Sequence, residues 1–395
     1  MYNWLLSKVK GDTVIWTIVV LLSVGGLLAV YSSTGSLAFK QQGGNTEFYL
    51  LKQLVFILLG FGFMWLCHLL DYRYYSRLSQ LFLYLSYPLL LYTLLFGVEI
   101  NDARRWIAIP GTGLTFQTSD LAKLALIMYV ARFLSKRQEN IKDFKGAFLP
   151  ILISVSVICV LIAPANLSTA LVIFSTCLLL MFIGRIPIKY ILAVVAAGVV
   201  TFALAASLVF NMPDEKLENI ARLRTWKARI ENFMADNPET GGGNFQNVQA
   251  KIAIAGGGLT GKGPGNSTQR NFLPSPYADF IFAIILEEYG LMGGVALIFL
   301  YLLLLFRSIR IVIKSPKAFG ALLAVGLSFS LVIQAFINMG VAVNIFPVTG
   351  LALPLVSMGG TSTIFTSLAF GIILSVSRTI EQEGGEVNES EVAHA

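Results

Sequence analysis

Histidine is almost missing from this chain: His68 and His394 are the only two in 395 residues. Cysteine is limited to Cys67, Cys159 and Cys177, so no His/Cys metal cluster can be assembled from the supply. All three cysteines lie inside apolar runs, which suits small buried hydrophobes and not a disulfide framework. Charge is scarce too. Asp, Glu, Lys and Arg make up 13% of the residues, against about 25% in soluble domains. No internal repeat is visible. These shortages argue against a soluble globular domain and against metal or thiol chemistry built from the chain's own side chains.

What is present is apolar: 56% hydrophobic residues and a mean hydropathy of +0.73. A bilayer crossing needs roughly 20 apolar residues. Such stretches fall near 13–33, 51–70, 79–98, 117–134, 147–163, 168–184, 189–211, 279–307, 318–343 and 351–377. The fourth is interrupted by Asp120 and Lys123. The first follows Lys8 and Lys10 but is too long for the core of a cleaved signal peptide. The expectation is an all-α integral membrane protein of about ten transmembrane helices, forming a single membrane domain over 1–379. It carries one large extracytoplasmic loop, 212–278, and a short acidic tail, 380–395, without regular structure.

An even number of crossings puts both termini on one side. The N-terminus and every second short connection hold sixteen Lys and Arg residues, while the short connections opposite hold only Lys40, Lys52, Arg104 and Arg105. Basic loops stay in the cytoplasm, so both termini are expected there, with the long loop outside. The same bias accounts for the net charge of +7 without nucleic acid. Within the long loop, Leu217, Ile220, Leu223, Ile230 and Phe233 recur at helical spacing among Arg222, Arg224, Lys227 and Arg229. That pattern predicts an amphipathic surface helix over 214–234. Residues 235–278 are rich in Gly, Asn and Pro and are expected to be largely irregular.

Ionisable groups in or beside membrane helices are costly and demand a reason. Asp120 and Lys123, three apart, share one helix face and can pair. That pair fits a structural tie and equally a polar floor beneath a substrate pocket. Asp279 stands where the long loop meets an apolar helix. It fits a helix N-cap and equally a general base accepting a proton from a sugar hydroxyl. Glu287 and Glu288 follow about 12 Å deeper by helical rise; Glu287, nearer the face of Asp279, is the better candidate for the same cavity, and pairing of both carboxylates with buried basic or amide groups fits at least as well.

The segment Gly256 to Arg270 (GGGLTGKGPGNSTQR) approaches a P-loop, but Gly263 occupies the Ser/Thr position and the loop is expected outside the cell. A pyrophosphate cradle using Lys262 and Arg270 remains, as does a flexible connector. Arg104 and Arg105 beside Trp106 offer guanidinium forks for phosphate or an interface anchor. The uncharged stretch Asn344 to Gly360, with Pro347, Gly350, Pro354, Gly359 and Gly360, suggests broken helix ends lining a cavity.

Together these segments resemble the SEDS family (shape, elongation, division and sporulation), the FtsW and RodA type of protein. The likeness runs from Asp12 to Arg378. Its most specific block is Gln249 to Gly294. A second spans Ile337 to Val341 and Pro347 to Ser362, including Ser357. A third joins Arg105-Trp-Ile to Gln117-Thr-Ser-Asp-Leu-Ala-Lys123. The opening pattern ending Val30-Tyr-Ser-Ser looks nearer the FtsW branch. Departures are Asp120 where the family carries Glu, Asn166 where it carries Asp, and Met358 where it carries Tyr.

The resemblance implies an inverting glycosyltransferase that joins lipid II units into peptidoglycan strands during cell division or elongation. By it, the family's essential aspartate falls on Asp279, its arginine before Trp on Arg105 and its fourth-helix lysine on Lys123. Asp120, Gln249, Lys262, Arg270, Glu287 and Ser357 are the further candidates for substrate contact. The implied partners are lipid II, a class B penicillin-binding protein and other division proteins, at the bacterial cytoplasmic membrane. A divalent cation, Mg or Mn, is a conceivable helper at the pyrophosphate, although no dedicated cage is visible. The rival reading is a lipid II flippase, for which mid-membrane polar groups between symmetric halves are expected; a non-catalytic scaffold is the third.

Overall fold

The computed structural model describes residues 10–100, 103–109, 111, 114–212, 227 and 242–393. The amphipathic helix expected over 214–234 therefore lies outside the described residues, apart from Lys227, and with it Arg222 and Arg224.

The chain is an all-α membrane protein. The described helices are α1 Thr13–Ser33, α2 Gly35–Gln42, α3 Thr46–Leu69, α4 Tyr72–Phe96, α5 Thr118–Lys136, α6 Leu149–Ile162, α7 Leu167–Ile183, α8 Ile188–Phe210, α9 Gly242–Gly257, α10 Ile281–Lys314, α11 Ala318–Ala342 and α12 Thr361–Ala393. Eight helices among the described residues are long and apolar enough to cross a membrane. The expected count of ten is reached only by adding α7, which is shorter, and α5, which carries Asp120, Lys123, Arg132 and Lys136.

Local chemistry starts several of these helices. Asp12, Asn45, Asp71 and Asn166 each accept hydrogen bonds from backbone N–H groups of the first turn of α1, α3, α4 and α7. Asn caps about as well as Asp, so Asn166 needs no charge for this role. α11 and α12 are the most enclosed, with 67% and 72% of their apolar windows buried, against 6% for α8. α8 therefore lies at the periphery, its side chains facing outward nearly all round, while α3, α5 and α10 pack on the central pair.

Three sequence expectations are corrected. Residues 242–257, expected to be irregular, form α9, which packs on α10. The last span begins at Thr361 and not at 351, because 351–360 is an irregular segment folded into the bundle. The acidic tail is helical as far as Ala393. Its first carboxylates have partners: Glu381 accepts from Gly11 N at 2.9 Å and Glu383 from Arg73 Nη2 at 2.6 Å. The same end of the bundle holds the Asp12–Arg307 ion pair at 2.6 Å.

A small antiparallel sheet also stands outside the all-helical expectation: β1 Val98–Ile100, β2 Ala103–Ile109 and β3 Leu114–Gln117, in the order β1-β2-β3. Side chains alternate across a strand. Arg104 turns outward to Glu99 at 3.4 Å, and Arg105 turns the other way, toward the bundle.

Candidate active site at the head of an interrupted helix

Asp279 sits two residues before α10. The N-cap position of that helix is held by Phe280, whose side chain makes no capping bond. Asp279 is half-buried. What distinguishes the segment is how its backbone is held. Met358 N donates to Tyr277 O at 2.9 Å. Ser357 Oγ donates to Ala278 O at 2.7 Å, and Asn338 Nδ2 donates to Asp279 O at 3.1 Å. Three consecutive carbonyls are thus clamped by three different donors. Beside them, burial, with the Tyr49 and Asp279 side chains close by, raises the Tyr277 phenol above its ordinary pKa.

The clamp is itself held. Ser357, 2% exposed, accepts from Leu353 N at 2.8 Å. The buried Tyr301 hydroxyl donates to Pro354 O at 2.6 Å. Leu355 lies at φ 62°, a left-handed conformation costing an L-residue about 1–2 kcal/mol. Such strain persists only where surrounding bonds over-determine it, and it clusters at functional sites.

Two other expected residues, Asp120 and Arg105, reach the same 350–362 segment, and Lys123 is linked to it through Gln334. Asp120 accepts from Ser362 Oγ. Lys123 Nζ donates to Gln334 Oε1 at 2.8 Å, and its separation from Asp120 Oδ1 is 4.0 Å. The expected Asp120–Lys123 pair is therefore loose, and the amide is the nearer partner of Lys123. Arg105 Nε donates to Ala165 O at 2.9 Å, and its Nη1 would stand 3.4 Å from a Cβ placed on Gly350.

Lys262, Arg270 and Glu287 form a separate cluster. Glu287 is fully buried. Its carboxylate accepts from Lys262 Nζ at 2.6 Å, Ser267 Oγ at 2.5 Å, Thr268 N at 3.1 Å, Thr268 Oγ1 at 2.8 Å and Gln269 N at 3.2 Å. Glu288 takes Ser32 Oγ and Ser267 N. Arg270 Nη1 donates to Ser32 O at 2.9 Å. Glu287 is thus the anchor of the glycine-rich loop, paired with a basic group and backbone amides as the second of its two sequence readings has it.

The glycines of that loop have a packing reason. α10 is interrupted at Gly290, whose φ is 67°, and the loop fills the gap: Lys262 N and Gly263 N donate to Glu287 O and Glu288 O, both at 2.9 Å, and Leu291 N donates to Gly258 O at 2.9 Å. A Cβ on Gly257 would lie 1.9 Å from Leu286 O, and one on Gly261 2.1 Å from Glu288 O. Two of the N–H groups expected to cradle phosphate are spent on a broken helix. Gln249 lies half-buried on α9, which packs on this stretch of α10. Among the described residues no three His, Cys, Asp or Glu gather as a metal cage.

Sequence reasoning named neither Gln334 nor Asn338 as a site residue. Their signals are a pair of amides four apart on a largely apolar helix and, for Asn338, its place in the Ile337–Val341 block of the resemblance.

The FtsW/RodA/SpoVE family model, described as cell cycle protein, matches residues 12–382. The chain belongs to the FtsW/RodA/SpoVE family. It is similar to the stage V sporulation protein E of Bacillus subtilis, 33% identical over 94% of this chain and 98% of that one. It is also similar to a probable peptidoglycan glycosyltransferase FtsW of Geobacter metallireducens, 35% identical over 93% and 94%. Among solved structures it resembles a chain of a peptidoglycan synthase complex that coordinates polymerization and crosslinking. There the TM-score is 0.70 at 25% identity, covering 94% of this chain and 99% of that one. The rod shape determining protein RodA of Thermus thermophilus matches with a TM-score of 0.66 at 26% identity, over 93% and 97%. For an FtsW/RodA/SpoVE protein, the clamped segment Tyr277–Asp279 and the loop-anchoring Glu287 are two differently built ends of one short half-helix.

Proposed function

We propose that this chain is a peptidoglycan glycosyltransferase that polymerises lipid II, with Asp279 as general base. The observation that carries the reading is the clamp on Tyr277, Ala278 and Asp279, which pre-organises one carboxylate at the head of an apolar helix. A fixed carboxylate suits proton abstraction in a narrow geometry. Family membership and relatives named peptidoglycan glycosyltransferases support the same class.

In this reading the 4-hydroxyl of the acceptor N-acetylglucosamine attacks the anomeric carbon of the donor glycan. A new C–O bond forms with inversion, the hydroxyl proton passes to the Asp279 carboxylate, and the anomeric C–O bond to phosphate breaks. Undecaprenyl pyrophosphate leaves with the electron pair. Arg105, beside Gly350 on the same segment, is the cation placed to offset the leaving charge. Lys262 and Arg270 act through the loop they fasten. A divalent cation would supply charge neutralisation at the pyrophosphate, commonly with one or two carboxylates and substrate oxygens as ligands. The solved synthase complex supports a crosslinking penicillin-binding protein as partner.

Incubating the purified chain with lipid II, with and without a class B penicillin-binding protein, tests the proposal. Glycan strands are expected, and accumulation of free lipid II in the presence of the partner sinks it. The orientation belongs to the same proposal: termini in the cytoplasm, Asp279 facing outward. Reporter fusions at Lys142 and Lys314 should read cytoplasmic and one at Asn237 external, from the bias of basic residues in short loops. A cytoplasmic signal at Asn237 would reverse the orientation and the site with it.

A further inference from the structure

Gln334 and Asn338 stand four residues apart on α11, which otherwise carries only apolar residues and Ser328 and Ser330, and residues at that spacing share a face. A carboxamide is kept in such surroundings only where its hydrogen bonds matter. Asn338 is 1% exposed. Its Nδ2 donates to Asp279 O at 3.1 Å and to Leu351 O at 2.7 Å. Both acceptors are carbonyl oxygens, so the orientation of the amide is set, since turning it over would press Oδ1 against them. Gln334 is oriented in the same way. Its Nε2 donates to Ala352 O at 2.7 Å while its Oε1 accepts from Lys123. One helix face therefore grips two successive residues of the 350–362 segment, Leu351 and Ala352, and also the peptide of Asp279.

The arrangement is a poor choice for stability alone. Asn338 Oδ1 is buried without a hydrogen-bond partner among the described residues, and an unmet buried acceptor is a cost that an apolar side chain would not carry. One side chain, Asn338, thus bonds both the Asp279 peptide and Leu351. We infer that Asn338 is a positioning residue for glycosyl transfer: its amide ties Asp279 to the Leu351–Ser357 turn and thereby sets where the Asp279 carboxylate stands. Gln334, held by Lys123, keeps the neighbouring residue of that turn in register. On this account Lys123 acts on the reaction through Gln334 and Ala352 and needs no contact with substrate. The inference rests on reading Asp279 as the base.

The test is steady-state polymerisation of lipid II by purified Asn338→Ala and Asn338→Ser, with thermal unfolding measured in the same detergent. Removing a positioning contact lowers kcat with KM nearly unchanged, and a shift of about 1 Å costs on the order of 10²-fold. Asn338→Ala is expected to show that loss at native-like thermal stability. Asn338→Ser, whose hydroxyl can still donate to one carbonyl, should fall between the two. A folded Asn338→Ala with native kcat overturns the inference, as does a loss confined to KM or to thermal stability. Where the Ala variant does not fold, the Ser variant decides by the same split of kcat from KM. Asp279→Asn run alongside separates the two readings. Activity in that variant removes the base, and the positioning role with it. An inactive Asp279→Asn beside a fully active Asn338→Ala removes the positioning role alone.

Discussion

Asp279→Asn is expected to fold, reach the membrane and make almost no glycan. A positioned carboxylate base contributes about 10²–10⁴-fold in rate, and the amide cannot take the proton. The substitution is close to isosteric, and the backbone that carries it is held by Met358, Ser357 and Asn338 through main-chain oxygens. The variant keeps these main-chain bonds, and thermal unfolding checks that it keeps the native conformation. Capping does not confuse the result, because Asn caps a helix about as well as Asp. Asp279→Glu should also be poor: one added methylene displaces the carboxylate by about 1 Å, enough to cost on the order of 10²-fold. The measurement is strand length and yield from lipid II, with thermal unfolding as the control. Normal turnover by the Asn variant would take Asp279 out of the mechanism.

Glu287→Leu should fail in the opposite way, through stability. Its carboxylate gathers Lys262, Ser267, Thr268 and Gln269 around one fully buried point. Removing one partner from a buried, hydrogen-bonded charge network costs about 3–5 kcal/mol. Lys262 is about one-third exposed and can turn to water, whereas Ser267 is buried and keeps an unmet donor. The loss should appear as a lower unfolding temperature and a lower yield in the membrane, with the loop 258–271 more open to protease. Glu287→Gln, which keeps one acceptor oxygen, should be milder. A Glu287→Leu variant as stable as the native chain yet inactive would instead place Glu287 in the chemistry. The two carboxylates lie at opposite ends of the same two-turn half-helix, so this contrast separates holding from reacting within eight residues.

Much of the architecture is legible along the chain. Apolar runs of roughly membrane length are set by composition alone, and a helix is the open-chain answer to backbone polar groups in lipid. All ten expected spans coincide with helices; the ends shift by at most seven residues except in the last, which starts ten residues later and runs sixteen further than expected. The misses have physical reasons. Composition made 242–257 look irregular, but the small residues that weaken helix propensity there let α9 pack closely on α10. The acidic tail continues as helix because Glu381 and Glu383 find Gly11 and Arg73, some 370 and 310 residues away in sequence. Helical propensity is a weak prior that such tertiary contacts override.

Of the site, the sequence by itself determined which residue types lie near one another along the chain: a carboxylate at the head of an apolar helix, a basic fork before a tryptophan, a glycine-rich loop with a lysine. Those follow from local spacing. Only the tertiary structure decided which partner each one takes. It joined Asp279 to Asn338 and Ala278 to Ser357, across 59 and 79 residues of chain, and it moved Lys123 from Asp120 to Gln334. It also turned Lys262 and Glu287 inward to fasten a broken helix. The reason is that a buried polar group takes whichever partner the packing brings within about 3 Å. Pairings between distant segments are fixed by how helices cross, which no local pattern encodes.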